Sequence, residues 1–246
     1  MYKESFLMAW ASLIANKMRS ILTMLGIIIG VAAVIALVSI GNGVKQQVSD
    51  SISSLGSNLL MVMPGAPRTP GVRPTASSQR SLKEGDYKAI AKLDGVAAAS
   101  PFTSNSYVAI YQSNNWTTTV SGVSPSLQTI NNLTMKDGRF ITEKNVQNRE
   151  RVAVVGSTIV KNLFGNEDPV GKDIRVKNIP FKIIGVLESK GNSSMGEDQD
   201  DVVYIPYTTA MERVQGVDYL RMVYVSANDD NGINRLQADI ENLLRV

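Results

Sequence analysis

The sequence predicts an α+β protein with one N-terminal transmembrane helix and a helical stalk. A discontinuous α/β subdomain, interrupted by a β-rich insertion, is expected to follow. Three observations lead to this prediction: an apolar run over residues 21–40, a helical period that continues beyond it, and strand and helix patterns at both ends of the remaining chain that enclose a run of strands.

Composition excludes several function classes. Of the 246 residues, 43% are hydrophobic and 19% charged, as is typical of a folded protein, and the net charge of +3 gives no nucleic-acid footprint. The chain contains neither Cys nor His, which excludes disulfides, thiolate metal sites, Ser-His-Asp triads and HExxH zinc sites. No glycine-rich phosphate loop is present. We therefore expect no catalytic, cofactor-binding or metal-binding residues in this chain.

An acidic run before one predicted strand is the one candidate cation site. It holds Glu197, Asp198, Asp200 and Asp201. Clustered carboxylates suit Ca²⁺, but the spaced ligands and terminal Glu of an EF-hand are missing. A solvated loop is the favoured interpretation.

The first twenty residues predict a cytoplasmic, interfacial amphipathic helix. Trp10 and Leu13 lie on its apolar face, and Lys17 and Arg19 mark the cytoplasmic boundary. Two interpretations stay open: an ordinary anchor flank, or a platform for a cytoplasmic partner that makes this a coupling helix.

Residues 21–43 predict the transmembrane helix. About 20 apolar residues are enough to cross the hydrocarbon core. A signal peptide needs a shorter apolar core and a small-residue cleavage site, and neither is present. The basic N-terminal flank predicts a cytoplasmic N-terminus and an exported remainder. Gly26 and Gly30 form a GxxxG motif, which is either a helix-packing face or a chance match.

Residues 44–56 predict a stalk that continues the membrane helix. Val44, Val48, Ile52 and Leu55 recur at helical spacing with polar residues between them, which gives a single apolar stripe for a dimer contact. A stalk joined rigidly to a membrane helix can transmit motion.

The exported region divides into two predicted subdomains. Residues 57–120 and 215–246 form the α/β part, with a strand near residue 60, a helix from a capping box at 81–84, and a C-terminal strand and helix. Residues 121–214 form the β-rich part. A hairpin turn is predicted at Asn114–Asn115.

Several of these segments resemble a known family. The segment NKMRSILTMLGIIIGVAAVIALVSIGNG is similar to the first transmembrane helix of MacB-type ABC transporter permeases. The segment VAVVGSTIVKNLFGNEDPVGKDIRVKNIPFKIIGVLESKG resembles the extracytoplasmic part of that family, and GRFIT and VYIPYTTA resemble further family landmarks. The resemblance covers essentially the whole chain.

The resemblance implies a fold and a mechanism. Such permeases are dimers with four transmembrane helices per protomer, and the domain between the first two helices has an α/β porter part and a β-rich sabre part. Cytoplasmic ATP hydrolysis moves the helices, and the stalks carry this movement outward, a process called mechanotransmission. The implied function is efflux of antibiotics, toxic peptides or similar amphiphiles across the bacterial cell membrane.

The resemblance also implies partners. They are an ABC ATPase subunit that uses ATP and Mg²⁺, a MacA-like adaptor, a second copy of this chain through the membrane helices, and membrane lipid. No ATPase domain precedes the first helix and no second apolar span precedes Val246. We therefore expect a separate ATPase subunit and a longer, multi-pass permease.

Two alternatives stay open. Related permeases extract lipoproteins or regulate cell-wall hydrolases. The chain could also be a single-span anchored binding or sensor protein. An anchored enzyme is disfavoured, because the sequence contains no nucleophile motif.

Overall fold

The computed structural model describes Lys3, Met8 and residues 17–54, 58–65, 80–193, 196–229 and 232–244, with backbone only at Ser20 and residues 44–54. The chain forms two compact units, Met1–Asp50 and Ser51–Val246.

The N-terminal unit is dominated by one long helix, α1, at Lys17–Ser54. The helix is unbroken at the predicted boundaries after residues 20 and 43, because no proline interrupts it. Its part Lys17–Gly43 is long and apolar enough to cross a membrane, by length and composition. The large hydrophobic side chains described along that part are all more than half exposed.

The described residues of the second unit form nine strands: β1 (Leu59–Val62), β2 (Val96–Tyr111), β3 (Asn114–Val123), β4 (Met135–Gly138), β5 (Val152–Val155), β6 (Asp173–Val176), β7 (Ile179–Leu187), β8 (Val202–Pro206) and β9 (Met222–Ala227). Its helices are α2 (Glu84–Ile90), α3 (Leu127–Ile130), α4 (Glu143–Gln147), α5 (Ser157–Ile159), α6 (Tyr207–Thr209) and α7 (Ile233–Leu244). α5 continues as a π-helical turn, Val160–Phe164, and α6 continues as another, Ala210–Gln215.

The strands form one connected arrangement in the order β1-β9-β2-β3-β8-β5-β7-β4, with β6 beside β2 and β7. β2 takes part in two sheets. Its residues 96–102 pair with β9, and residues 103–111 pair with β3. Pairs β3–β8 and β5–β7 are parallel, and all the other pairs among the described strands are antiparallel.

The point at which β2 passes from one sheet to the other does not coincide with the predicted subdomain boundary. The sheets exchange between Phe102 and Thr103, whereas the boundary predicted at residue 120 falls inside β3. Residues 114–122 of β3 pair with the second part of β2 in one long antiparallel ladder, and residues 119–123 pair with β8. The division into two subdomains stays a prediction.

The described residues of this unit form two hydrophobic cores. The first joins α2, α7 and β9 through residues such as Ile90, Leu236 and Val225. The second lies beneath α5, where Ile159 and Leu163 are fully buried. Strand β5 supplies both cores: Val154 contributes to the first, and its neighbours Ala153 and Val155 to the second. A strand buried on both faces explains its wholly apolar sequence.

Two local predictions were wrong in detail. The hairpin turn is Gln112–Ser113, since Tyr111 pairs with Asn114 and both predicted turn asparagines belong to β3.

Helix α2 begins after Lys83, whose backbone N–H donates to the Asp86 carboxylate over 2.7 Å. The cap therefore lies two residues beyond the predicted Ser81, because it is Asp86 that closes back onto the first turn.

Candidate functional site

The predicted membrane and coupling residues lie on or before helix α1. Lys17 and Arg19 are exposed near its start, and the Arg19 carbonyl accepts from the Thr23 hydroxyl over 3.0 Å. Trp10 and Leu13 lie outside the described residues. The coupling role of this set stays a prediction.

The predicted packing and stalk residues lie further along the same helix. A Cβ added at Gly26 or Gly30 would meet no atom within 4 Å, so the described unit leaves both positions open to a neighbour. Val44, Val48 and Ile52 belong to the helical backbone, and Leu55 lies outside the described residues. Their predicted dimer contacts stay untested.

The long family-like segment begins with strand β5 and the turn into α5. The Gly156 N–H donates to the carbonyl of Val202 over 2.9 Å. A Cβ at Gly156 would lie 2.1 Å from the carbonyl oxygen of Asp200, far inside any allowed contact. Glycine is therefore required here because the β7–β8 loop runs directly against the turn.

The carboxylate of Asp200 fixes this loop. Its Oδ2 accepts from the hydroxyls of Ser157, at 3.1 Å, and Ser189, and from the Gly191 N–H at 3.1 Å. Its Oδ1 accepts from the Lys190 N–H at 2.8 Å. The residue is only 6% exposed. Burial raises the pKa of this carboxyl, but the hydrogen bonds outweigh burial and hold the pKa below its usual value.

The neighbouring groups of the loop also have internal partners. Asp198 accepts from the Thr158 hydroxyl at 2.6 Å and from the Asp200 N–H at 2.9 Å. The Lys190 ammonium donates to the Asn131 carbonyl at 2.5 Å, and burial lowers the pKa of Lys190. Among the described residues, no group of three or more acidic side chains is arranged to hold a metal ion. The carboxylates fix the loop instead.

This role of Asp200 was not predicted from the sequence. The sequence shows four acidic residues within five positions, which indicates an acidic cluster. No pattern in the sequence indicates that the side chain of one of them is buried. The available signal was the pair Ser157 and Ser189, each two residues beyond the end of an apolar strand, since buried carboxylates need such donors.

A second cluster holds the tip of the β2–β3 hairpin. The Tyr111 and Phe164 rings lie 4.1 Å apart, and the Lys172 ammonium lies 5.5 Å from the Tyr111 ring centre. Glu167 pairs with Lys172 and accepts from the Tyr111 hydroxyl at 3.1 Å. The Lys172 hydrogen bond, and then that of Tyr111, hold the pKa of Glu167 below its usual value. The LFG and GK residues of the family-like segment therefore anchor the hairpin.

A third cluster joins α2 to α6. Glu84 accepts from the Tyr207 hydroxyl at 3.1 Å and pairs with Lys88 at 2.8 Å. The Tyr87 ring packs edge-on against Tyr207 at 5.9 Å. Hydrogen bonding to Lys88 is the main cause that lowers the pKa of Glu84. Burial, followed by the charge of Glu84, raises the pKa of Tyr207 well above its usual value.

These three clusters share one property. Each joins segments distant in sequence through polar side chains whose partners belong to the same unit. Such an arrangement rigidifies the domain and presents no activated nucleophile among the described residues. The chain thus combines a candidate membrane helix with a mixed α/β domain held rigid by internal polar clusters.

Comparisons with known proteins specify the family of this domain. The profile of the MacB-like periplasmic core domain matches residues 20–243. Over 100% of this chain, the macrolide export ATP-binding/permease protein MacB of Rhodospirillum rubrum is 44% identical. The protein of the same name in Wolinella succinogenes is 38% identical over 98% of this chain. The chain spans 37% of the length of each of these two relatives.

Solved structures show the same fold. The periplasmic region of MacB from Actinobacillus actinomycetemcomitans aligns with a TM-score of 0.66 at 24% identity, over 79% of this chain and 86% of that one. The extracellular domain of the transporter YknZ, from Gram-positive bacteria, aligns with a TM-score of 0.64 at 20% identity, over 76% of this chain and 93% of that one. The chain belongs to the MacB-like periplasmic core domain family, and the predicted family and fold class are confirmed.

Proposed function

We propose that this chain supplies the first membrane helix and the extracytoplasmic domain of an ABC efflux permease. Its N-terminus lies in the cytoplasm and its domain lies outside the bacterial cell membrane. ATP hydrolysis by an ABC ATPase subunit, which uses ATP and Mg²⁺, moves helix α1, and the domain transmits this movement to the exported substrate. The chain itself carries no ATPase chemistry in this proposal.

The observation that carries the proposal is the continuity of α1. Its part Lys17–Gly43 is the candidate span, and the same helix runs on to Ser54 without a break. Only residues 55–58 separate its end from Leu59, the start of strand β1. A continuous helix keeps its pitch and direction along its length, so a movement at one end is delivered at the other.

The names of the relatives support the proposed substrate class. Both relatives above are called macrolide export proteins, which supports macrolides or other amphiphiles as the exported class. A MacA-like adaptor would complete the exit path, and a second copy of this chain would pair through Gly26 and Gly30 and along the predicted stalk stripe.

Macrolide accumulation in cells tests this function. The permease that carries this chain is expressed with its ATPase and adaptor in a strain that lacks its own exporters, and retained erythromycin is measured. The control is a variant ATPase that binds ATP without hydrolysing it. Lower erythromycin in cells with the active ATPase supports the proposal. Equal retention with both ATPases contradicts macrolide export and favours the lipoprotein or hydrolase alternatives.

A further inference from the structure

Strand β2 links the two sheets of the domain. Among the described strands, β2 alone pairs in both sheets, with β9 through residues 96–102 and with β3 through residues 103–111. Strand-to-strand hydrogen bonds resist bending within each sheet. At the crossing between Phe102 and Thr103, β2 is the described strand that links the two ladders, so rigidity there also depends on side-chain contacts between the sheets.

The seam segment, residues 207–215, lies at this crossing and belongs to both hydrophobic cores. Tyr207 and Met211 pack in the first core, and Ala210 and Val214 pack in the second. All four are at most 8% exposed. A segment whose side chains alternate between two cores opposes their separation, because moving the cores apart would expose apolar surface.

Polar bonds tie the seam segment to the crossing residue Thr103, which belongs to the second sheet, and to helix α2, which packs in the first core. The Gln215 side-chain carbonyl accepts from the hydroxyl of Thr103 at 2.5 Å. Thr103 is 1% exposed and is the first residue of β2 to pair with β3. The Tyr207 hydroxyl donates to Glu84 of α2 at 3.1 Å.

Other bonds tie the seam segment to elements packed around the second sheet. The Lys177 ammonium donates to the Val214 carbonyl at 2.9 Å. The Thr208 hydroxyl donates to the Val146 carbonyl at 2.7 Å, and the Thr209 hydroxyl donates to the Glu150 carbonyl at 3.0 Å. The segment is therefore bonded on both sides of the crossing.

Gly122 of β3 lets the seam segment approach this closely. A Cβ at Gly122 would lie 2.4 Å from the Cβ of Ala210 and 2.9 Å from the Cγ2 of Thr103. The strand, the crossing residue and the seam segment thus meet with no room for a further methyl group.

We propose that the seam segment is a clamp that makes the two sheets move as one body. Gln215 and Tyr207 are its positioning residues. Without the clamp the domain bends at the crossing in β2 and absorbs the movement delivered by helix α1. The consequence for export rests on the proposed function, whereas the rigidity of the domain does not.

Distance measurements on the whole chain test the clamp. The sequence has no cysteine, so spin labels can be placed at Met61→Cys on β1 and Val108→Cys on β2, both exposed positions. The distance distribution is recorded in lipid nanodiscs by pulsed electron paramagnetic resonance. We expect a narrow distribution for this labelled chain and an about twofold broader one when Gln215→Leu is added.

Two control variants separate the clamp from general damage. Gln215→Glu keeps a carbonyl-type acceptor for Thr103 and should keep the narrow distribution. Asn114→Leu removes a 2.8 Å bond from the Asn114 amide to the Leu163 carbonyl, next to the second sheet and away from the crossing, and should leave the width unchanged.

A gentler variant keeps the test decisive if Gln215→Leu fails to fold. Tyr207→Phe removes only the hydroxyl bonded to Glu84 and should also broaden the distribution. If Gln215→Leu folds and its distance distribution is as narrow as that of the parent chain, the proposal is overturned. If Gln215→Leu does not fold, an equally narrow distribution in Tyr207→Phe overturns it.

The assembled transporter tests the consequence. Erythromycin exported per ATP hydrolysed should fall about threefold in Gln215→Leu, while the ATPase rate persists. Absence of export by the parent transporter refutes the proposed function, and the distance widths still decide the clamp. Broad distributions with an unchanged export ratio refute the transmission role of the clamp.

Discussion

The Ser157 hydroxyl donates a hydrogen bond to the Asp200 carboxylate over 3.1 Å, although 43 residues separate the two in the sequence. This bond joins the first turn of α5 to the loop that leads into β8. Together with the donors from Ser189, Lys190 and Gly191, it makes Asp200 the centre of the polar network around the family-like segment.

Replacing Asp200 by Asn should lower the free energy of unfolding by about 2 kcal/mol, because an amide has one acceptor oxygen where the carboxylate has two. The NH₂ group of asparagine cannot accept these hydrogen bonds, so either the Lys190 N–H or the donors around Oδ2 would lose their acceptor. Denaturant unfolding followed by Trp116 fluorescence, in a Trp10→Phe background, measures the change. Asp201→Asn is the matched control, because its amide oxygen can still accept from Trp116. Equal losses of stability in Asp200→Asn and Asp201→Asn contradict the role of Asp200 as the centre of the polar network.

The difference in the free energy of unfolding between the parent chain and Asp200→Asn should depend on pH. The pKa of Asp200 is lower in the folded state than its unfolded value, so its contribution to stability is complete above about pH 4 and is lost as the pH falls through the folded pKa. The stability gap between the parent chain and Asp200→Asn should therefore be largest at neutral pH and shrink under more acidic conditions. A gap that stays constant down to about pH 3 contradicts a depressed pKa.

Replacing Gly156 by Ala should destabilise the domain by about 3 kcal/mol, since the added methyl group would meet the Asp200 carbonyl at 2.1 Å and a backbone oxygen cannot move aside cheaply. Gly85→Ala in helix α2 is the control, because the same methyl group meets no atom within 4 Å there. Helix propensity predicts a gain of up to about 1 kcal/mol for that control. Similar losses in both variants would contradict the close approach.

The orientation across the membrane has its own prediction. A membrane-impermeant thiol reagent applied to intact cells, after the outer membrane is permeabilised where the host has one, should label Val108→Cys and leave Lys17→Cys unlabelled. The basic residues before the span favour a cytoplasmic N-terminus, and the chain contributes no background thiols. Labelling of Lys17→Cys with protection of Val108→Cys would reverse the proposed topology.

Local patterns predicted most of the elements. The unbroken apolar run predicted the candidate span of α1. The helical period of Leu236 and Ile240 predicted α7, where both residues are buried. In each case, the physical cause lies within a few residues of sequence.

The polar clusters could not be predicted in the same way. The bonds of Asp200 to Ser157 and of Gln215 to Thr103 join residues 43 and 112 positions apart. Which polar side chains meet depends on strand order and on the exchange of sheets within β2. Neither leaves a periodic trace in the sequence. The hairpin turn was misplaced for a related reason: the ladder register, and not the local asparagine signal, decided which residues close it.

The central claim is that helix α1 carries movement between the membrane and the extracytoplasmic domain. Disulfide crosslinking of Val48→Cys in the assembled transporter tests it most directly, with Val44→Cys, Ile52→Cys and Leu55→Cys along the same predicted stripe. We expect a crosslinked dimer whose yield changes by about threefold between nucleotide-free and ATP-bound states. A yield that is the same in both states at all four positions, or no crosslink at any of them, would contradict it.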